Sequence, residues 1–578
     1  MSRPIPTNKA LELTTASNNM PVLVVGAGPT GLTLACELAR RRIACRIIDK
    51  SSGPSIHSKA LGVQARTLEL LERLDISESI CRCGRKIRGG NLYSRGERIL
   101  QFRIEGIDSP YDFIVSFPQS ETERLLIEKL STLGVEVEWG VELSSLDQQQ
   151  QGVTAQLRSN GTTELMETVS VDWLVGCDGA HSTVRHALNS PFVGARFEES
   201  FYLADLRAEF ELDQNEVHVF LSEEGPFLFL ALPQENCYRV IVSEPPGKTE
   251  IRENPTLEDF QRWMERRVTL PRGVSVPELA NPVWVSHFRV HRRLVPRYRH
   301  GRVFLAGDAG HIHSPVGGQG MNTSIQDAIN LAWKLALVCQ GKAHDSLLDS
   351  YEAERRPVAE AVLQGTDVMT RMVTLHNPML QSIRNFAASS VMMLPSARRG
   401  MLRNMTELAI GYPKSPIVMD NGPSLWRNSG AWWAFRSGPK PGDRAPDGEL
   451  LNTNSQEKDR LFDVFRDPRS TLLLFTGRKP NEESRKRLVA VAEYANSQWD
   501  EIAQVCVIDP ELDTDWPKGS LVWTDTGAKT HDKYGAMLSC VYAIRPDGYV
   551  GYRSSPIDLD NLKLYFARYL CSAIADSI

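Results

Sequence analysis

Val22-Leu-Val-Val-Gly26-Ala-Gly28-Pro29-Thr30-Gly31-Leu-Thr-Leu-Ala-Cys-Glu-Leu-Ala39 is the stretch that decides the fold. Val22 to Val25 is an uncharged apolar run, which reads as a buried parallel strand; it breaks at Gly26, and from Leu32 apolar residues recur at helical spacing. Strand, glycine turn and helix predict a dinucleotide-binding unit. Gly26 permits the bend, Gly28 lets backbone approach a pyrophosphate, and Gly31 lets the helix lie close on the strand with its first amides facing the phosphates. A second strand, Ala44-Cys-Arg-Ile-Ile48, ends in Asp49, eighteen residues after Gly31, where a carboxylate can hold ribose hydroxyls.

The whole chain, at 578 residues, is too long for one core, so several domains are expected. A net charge of -5 shows no basic excess, which argues against nucleic acid as a partner. Residues 1–19 are polar and mixed and read as a flexible tail, without the apolar segment of a secretory signal. No run of eighteen apolar residues occurs, so stable membrane insertion is not expected. Ten cysteines are scattered, and Cys81 and Cys83, with one residue between them, have neither zinc spacing nor CxxC spacing. No metal site is expected, and reduced thiols in a cytoplasmic protein are.

Two more apolar strands end in acids. Val171-Asp-Trp-Leu-Val-Gly176-Cys177-Asp178-Gly179 leads into a Ser/Thr-capped helix, and Gly301-Arg-Val-Phe-Leu-Ala306-Gly307-Asp308 leads into the glycine-rich loop His311 to Asn322 and the helix Thr323 to Cys339. In an open α/β sheet, ligands bind at the strands' C-terminal edge. Exposed amides at that last helix's start would stabilise negative charge on a bound ring. Lys59 and Arg66 either lie over a pyrophosphate or cap a solvated loop. Ser120 and Glu123 are spaced as a capping box, and Gln119 just outside it is either a ligand contact or a turn residue. Residues 194–290 alternate as strands and read as a sheet walling a substrate pocket.

Gly26/Gly28/Gly31, Cys177-Asp178-Gly179, Gly307-Asp308 and the stretch Leu305 to Lys334, with Tyr351-Glu-Ala-Glu-Arg-Arg-Pro357, resemble the flavoprotein monooxygenases of the para-hydroxybenzoate hydroxylase type. The similarity covers roughly residues 20 to 365 and is to the branch holding phenol hydroxylase and the aromatic-polyketide hydroxylases. The resemblance implies FAD as cofactor, held by Gly26, Gly28, Pro29, Thr30, Gly31, Asp49, Lys50, Lys59, Gln64, Gln119, Asp178, Gly179, Gly307, Asp308, Pro315, Gly318, Gly320, Met321 and Asn322. Pro315, Gly318, Gln319, Met321 and Asn322 are the expected catalytic loop at the flavin. NADPH or NADH would dock transiently, Asp178 and Gly179 serving both FAD and the nicotinamide. O2 would add to the reduced ring, and the C4a-hydroperoxide would hydroxylate a phenolic or polycyclic substrate. Oxygen insertion of Baeyer–Villiger type and a non-catalytic flavin-binding protein stay open as alternatives. The segment Gly430-Ala-Trp432-Trp433-Ala-Phe does not match the halogenase pattern.

Leu61 stands where phenol hydroxylase carries an Asp against its phenol, which points to a larger, already acidic substrate needing no dedicated base. Tyr202, Tyr238 and the Arg289 to Arg293 group are candidates for substrate contact or for ordinary packing. His311 and His313 either fix the flavin loop or transfer protons. The expected architecture is α/β: a Rossmann-like FAD domain over 20–193 and 291–410, an inserted β-sheet domain over 194–290, a linker over 411–440, and a thioredoxin-like domain over 441–578. That last domain has no CxxC, with Cys506 inside a strand, so a structural or homodimer-forming role is expected.

Overall fold

A computed structural model of the chain describes residues 20–56, 58–162, 164–244, 255–270, 276–314, 317–373, 394–422, 430–452, 457–510 and 515–571. The expected tail, 1–19, and Pro315 lie outside them. Strand β1 (Met20–Val25), helix α1 (Pro29–Ala39) and strand β2 (Cys45–Asp49) form as the apolar pattern predicts. β1 pairs in parallel with β2 on one side and with Leu165–Gly176 on the other; Val303–Leu305 and Val137–Trp139 extend the parallel sheet outward. Val25 lies opposite both Ile48 and Gly176, and Gly176 lies opposite Leu305. The three acid-bearing strand ends therefore share one edge, although the chain separates them widely.

A second sheet runs in the order His311–Ile312, Leu279–Leu294, Val193–Ala208, Cys237–Glu244, Phe227–Ala231, Glu216–Leu221, Gly89–Ser94 and Glu97–Arg103. It takes two strands from well before residue 194, Glu216–Leu221 lying parallel to Gly89–Ser94. Side-chain alternation gives it two unlike faces. Tyr202, Phe229 and Tyr238 belong to the face packed against Phe260, Trp263 and Met264 of the helix Leu257–Arg267, with the Tyr202 ring 4.8 Å from Trp263. Both tyrosines are thus core residues, the packing alternative of the two. The opposite face carries Arg239, whose Nη1 and Nη2 donate to the carbonyls of Lys59 and Ser58 at 2.9 and 2.7 Å while Nε pairs with Asp205. That face looks onto the loop following β2.

The third sheet is mixed, with a parallel centre of Ser470–Phe475 and Ala503–Ile508 bridged by the helix Glu482–Gln498, and an antiparallel hairpin Cys540–Ile544/Val550–Ser554 on its flank. The expected linker contributes a strand to it: Met419–Asn421 pairs in parallel with Val550–Ser554, a long-range pairing that Pro- and Gly-rich composition conceals. Cys506 is buried in its strand, and burial pushes its thiol up, out of reach of thiolate chemistry.

The hairpin turn of this sheet is bolted to the first by buried charges. Arg545 donates to Glu354 at 2.6 and 2.8 Å and to Asp547 at 2.5 Å; Lys334 meets the same Glu354 at 2.7 Å, and Trp333 Nε1 donates to Asp547 at 3.2 Å. These side chains are at most 2 % exposed. Removing one member strands its partners' charges in low dielectric. Arg545→Met should therefore cost about 3–5 kcal/mol in urea unfolding, with the first and third sheets losing their common transition.

Candidate functional site

The three glycines of the turn divide as the sequence predicts, and a hypothetical Cβ at each shows why. At Gly31 it would lie 1.9 Å from the Gly26 carbonyl oxygen, so the helix rests directly on the turn. At Gly26, where φ is +105°, it would lie 2.5 Å from the Cys177 carbonyl oxygen, so two strand tips touch there. At Gly28 it would meet nothing within 4 Å. The same open space lies beside Gly179 and Gly318. The edge is thus sterically closed where elements abut and open at three backbone positions where a ligand would lie.

Its electrostatics suit an anion. α1 and the helix Gly320–Cys339, which begins three residues earlier than expected, have neither a side-chain N-cap nor an acid in the first turn. By contrast, Thr256, Asn481 and Asp558 cap helices elsewhere in the chain. Unspent amides and the positive helix ends remain for phosphate and for a polar ring edge.

The acids differ in what they hold. Asp49 accepts from the Ala27 and Ser51 amides at 2.7 and 2.8 Å, tying β2 to the glycine turn. Asp178 accepts from the Ser182 hydroxyl and the Val184 amide, capping its own helix, while burial raises its pKa against those bonds. Asp308 is exposed to the open edge yet hemmed in by protein, which raises its pKa; His311 and Lys59 oppose that shift. Lys50 and Lys59 are exposed at the same edge.

Gln119 takes the Ala60 amide on Oε1 at 3.2 Å and donates to Glu123 at 2.8 Å. The capping box expected from Ser120 and Glu123 does not form, because Pro118 is the N-cap and the helix starts at Gln119. Glu123 instead sits buried near Asp49 with its pKa raised, chiefly by desolvation.

Asn322 locks the glycine-rich loop: Oδ1 accepts from the Gln64 amide at 2.9 Å, and Nδ2 donates to the carbonyls of Gly62 and Gly318 at 2.8 Å. Gln64 donates to the Gly317 carbonyl at 3.3 Å, leaving its buried Oε1 without a hydrogen-bond partner among the described residues. Met321 is buried, Gln319 reaches the Asn404 carbonyl, and Gly307 holds φ at +60° against Thr30 and Ser324. Arg66 faces inward rather than into the cleft, bonding Glu69 and the Asp547 carbonyl.

Sequence reasoning did not single out the residues that brace these pieces. Buried Asp327 accepts from the Gly307 amide, from His311 Nε2 at 2.8 Å and from Arg355 Nε at 2.6 Å; Arg355 continues to the Thr323 carbonyl and the Tyr412 hydroxyl. The paired charges hold the Asp327 carboxyl below, and the Arg355 guanidinium above, their ordinary values against the cost of burial. Arg185 spans two strand tips by donating to Ala180 and Ala309 carbonyls. Glu407 takes Thr323 Oγ1 and Gln326 Nε2, and burial lifts its carboxyl to about 8. The motif strings contain Asp327 and Arg355, and Arg185 stands in the capped helix six residues after Gly179, which marks all three; nothing local marks Glu407.

The donors, the open glycine backbone and the orphaned Gln64 oxygen fit a flavin dinucleotide. Residues 19–366 match the family described as FAD binding domain. The chain is 34% identical over 556 residues to the 6-methylpretetramide 4-monooxygenase of Streptomyces rimosus, covering 93% of this chain and 92% of that one. It is 32% identical over 545 residues to the pentachlorophenol 4-monooxygenase of Sphingobium chlorophenolicum, covering 93% and 94%. The anhydrotetracycline hydroxylase OxyS from Streptomyces rimosus superposes with a TM-score of 0.72 at 29% identity, over 95% of this chain and 98% of that one.

Two outcomes separate the roles of these residues. Gly28→Ala should fold normally and lose about 1–3 kcal/mol of FAD affinity in a flavin-binding titration, whereas Gly31→Ala should unfold at lower urea than the wild type. Glu407 keeps in the folded state a proton that the unfolded chain releases, between its usual 4.5 and about 8. Its contribution is therefore complete below the lower value and lost as pH rises through the upper one. Melting temperatures across that window should fall with pH in the wild type and flatten in Glu407→Gln.

Proposed function

The chain belongs to the FAD binding domain family and is an FAD-dependent monooxygenase, and from that premise we propose that it hydroxylates a phenolic, polycyclic substrate held between the flavin and the second sheet. One observation carries the choice of substrate. Leu92, Val219, Leu228, Ile241 and Leu203 stand in register across five strands on the face that bears Arg239, all but the last of them half-buried. Such an aliphatic strip suits a broad flat guest whose desolvation supplies the binding energy, at ~25 cal/mol per Å² of apolar area removed from water. Buried Leu61 agrees with this, since a polyphenol with an acidic hydroxyl needs no carboxylate there.

When bound, FAD would supply the oxygen-transfer chemistry, with NADPH or NADH as the source of electrons. This chain's residues bind and orient. Pro29, Thr30 and the first amides of α1 hold the pyrophosphate, Asp49 and Lys50 the adenosine end, Gln119 and Asp308 the ribityl chain, and Gly318 to Asn322 the pyrimidine edge. Gln319 completes that loop, Lys59 lies over the pyrophosphate, and Asp178 with Gly179 borders the site of hydride delivery. The second sheet roofs the ring and excludes water. The third sheet acts as a thioredoxin-like structural domain without thiol chemistry. Among the described residues no helix is long and apolar enough to cross a membrane.

Purified protein should be yellow and should consume NADPH or NADH faster in the presence of polycyclic phenols than of simple phenol, with products one oxygen heavier and the new oxygen on ring carbon by NMR. Oxygen inserted beside a ketone carbon would overturn the hydroxylation. Asp308→Ala should shed flavin on gel filtration, and full retention would misplace the ribityl contact.

A further inference from the structure

The two histidines of the flavin loop are alike in sequence and opposite in structure. His311 spends Nε2 on the buried carboxylate of Asp327 at 2.8 Å. His313 turns Nδ1 to the Ser314 carbonyl at 2.8 Å, and because a carbonyl only accepts, that nitrogen carries the proton. Its Nε2 is then a bare lone pair. This atom is buried and has no hydrogen-bond partner among the described residues. It lies 3.5 Å from where a Cβ on Gly320 would stand, against the first residue of the helix whose opening turn lacks a cap. Ser314 is held in turn by Thr370 Oγ1 at 3.0 Å, from the helix Asp349–Val373, so the ring's orientation is fixed from behind. The rings of Tyr298, His311 and His313 stack in sequence, with centroids 6.2 and 6.5 Å apart.

We propose that His313 is the proton acceptor that follows flavin reduction. When a bound isoalloxazine takes up two electrons, Nε2 binds one proton from solvent, and the added negative charge of the ring is met by an imidazolium at the helix start. The inference rests on the placing of the Gly318 to Asn322 amides at the flavin's pyrimidine edge. The balance is simple. Hydride from the reduced nicotinamide brings two electrons and one proton to the ring, leaving one net negative charge; a hydronium ion in turn forms the Nε2–H bond, and Nδ1–H stays on the Ser314 carbonyl. Neutral imidazole suits the oxidised state, because burial draws the ring down to about 4. Negative charge beside it reverses that shift. Among the described residues, His311 is the titratable group whose charge reaches it, and it acts in the opposite sense; Asp327 and Asp308 lie beyond His311. The helix Asp349–Val373 presents neutral Thr370, and its Asp367 is engaged by Arg292 at 2.6 Å.

The test is the pH dependence of the flavin midpoint potential in the FAD-loaded protein, by dye equilibration over about pH 5 to 8. Wild type should be steeper than His313→Gln by ~30 mV per pH unit over part of that range, the equivalent of one extra proton per two electrons. His313→Asn should match the Gln variant. Equal slopes in wild type and both variants would overturn the proposal. Should the variants lose flavin, proton uptake on photoreduction of the wild type decides: uptake that does not increase from the alkaline to the acid end overturns it. A wild type that retains no flavin defeats the placing of the loop itself, a failure visible in the absorbance before any potential is measured.

Discussion

Everything at the ligand edge depends on one buried carboxylate. Asp327 lies on the helix Gly320–Cys339, about two turns beyond its start, and gathers three donors from the segments before and after that helix: the Gly307 amide, the His311 ring and the Arg355 guanidinium. An isolated carboxylate could not stay ionised there, since its desolvation would exceed what folding can supply. With Arg355 fully buried beside it, each charge is the other's condition for burial. The consequence is geometric. The Asp308 turn, the flavin loop and the first turn of the helix cannot shift independently without leaving Asp327 or Arg355 unpaired, so the cradle exists before any ligand enters it.

A second set of charges works at longer range and with a consistent sign. The third sheet's side brings Arg444, Arg460, Arg466 and Arg545; the first sheet's side answers with Glu69, Glu72, Asp75 and Glu354. Arg444 and Arg545 are almost fully buried and hydrogen-bonded at all three nitrogens, while Arg460 and Arg466 lie nearer solvent and are worth less. Pairs of this kind add little to net stability over apolar contacts, but they fix register. Lys334, Asn330 and Trp333 of the flavin-loop helix are part of the cluster that receives Arg545, so the far end of that helix is set by the third sheet while its near end is set by Asp327.

What could be read from the chain was local. The glycine turn, the acid-terminated strands and the uninterrupted helix after the glycine-rich loop are each continuous in sequence and obey one periodicity, and they stand in the structure as the pattern implies. What could not be read was set by contacts between distant segments. Tyr202 and Tyr238 sit on adjacent strands of one face, and only the register Leu206 to Tyr238 and the helix Leu257–Arg267 decide that this face is core. Ser120 and Glu123 have the spacing of a capping box, yet with Pro118 at the N-cap the helix starts two residues earlier and Glu123 is drawn to Gln119. Met419–Asn421 is too short and too polar to declare itself a strand without Val550–Ser554 beside it.

The same contacts explain why the substrate side carries so little chemistry of its own. Arg239 is the charged group on the strip that faces the first domain, and Asp205 with the carbonyls of Ser58 and Lys59 occupies Nε, Nη1 and Nη2 together. Four of the guanidinium's five N–H groups are so spent, which leaves no bidentate edge for a phenolate. Its use is structural: it draws the second sheet down onto the loop after β2, and that loop also receives Gln119, through the Ala60 amide and the Ser58 hydroxyl. The second sheet and the helix Gln119–Thr132 are therefore held by one short loop, which leads into the segment bearing Gln64. With an aliphatic roof above and Leu61 buried below, orientation of the guest under the proposed function falls to shape, and the handling of charge and protons to the glycine-rich loop.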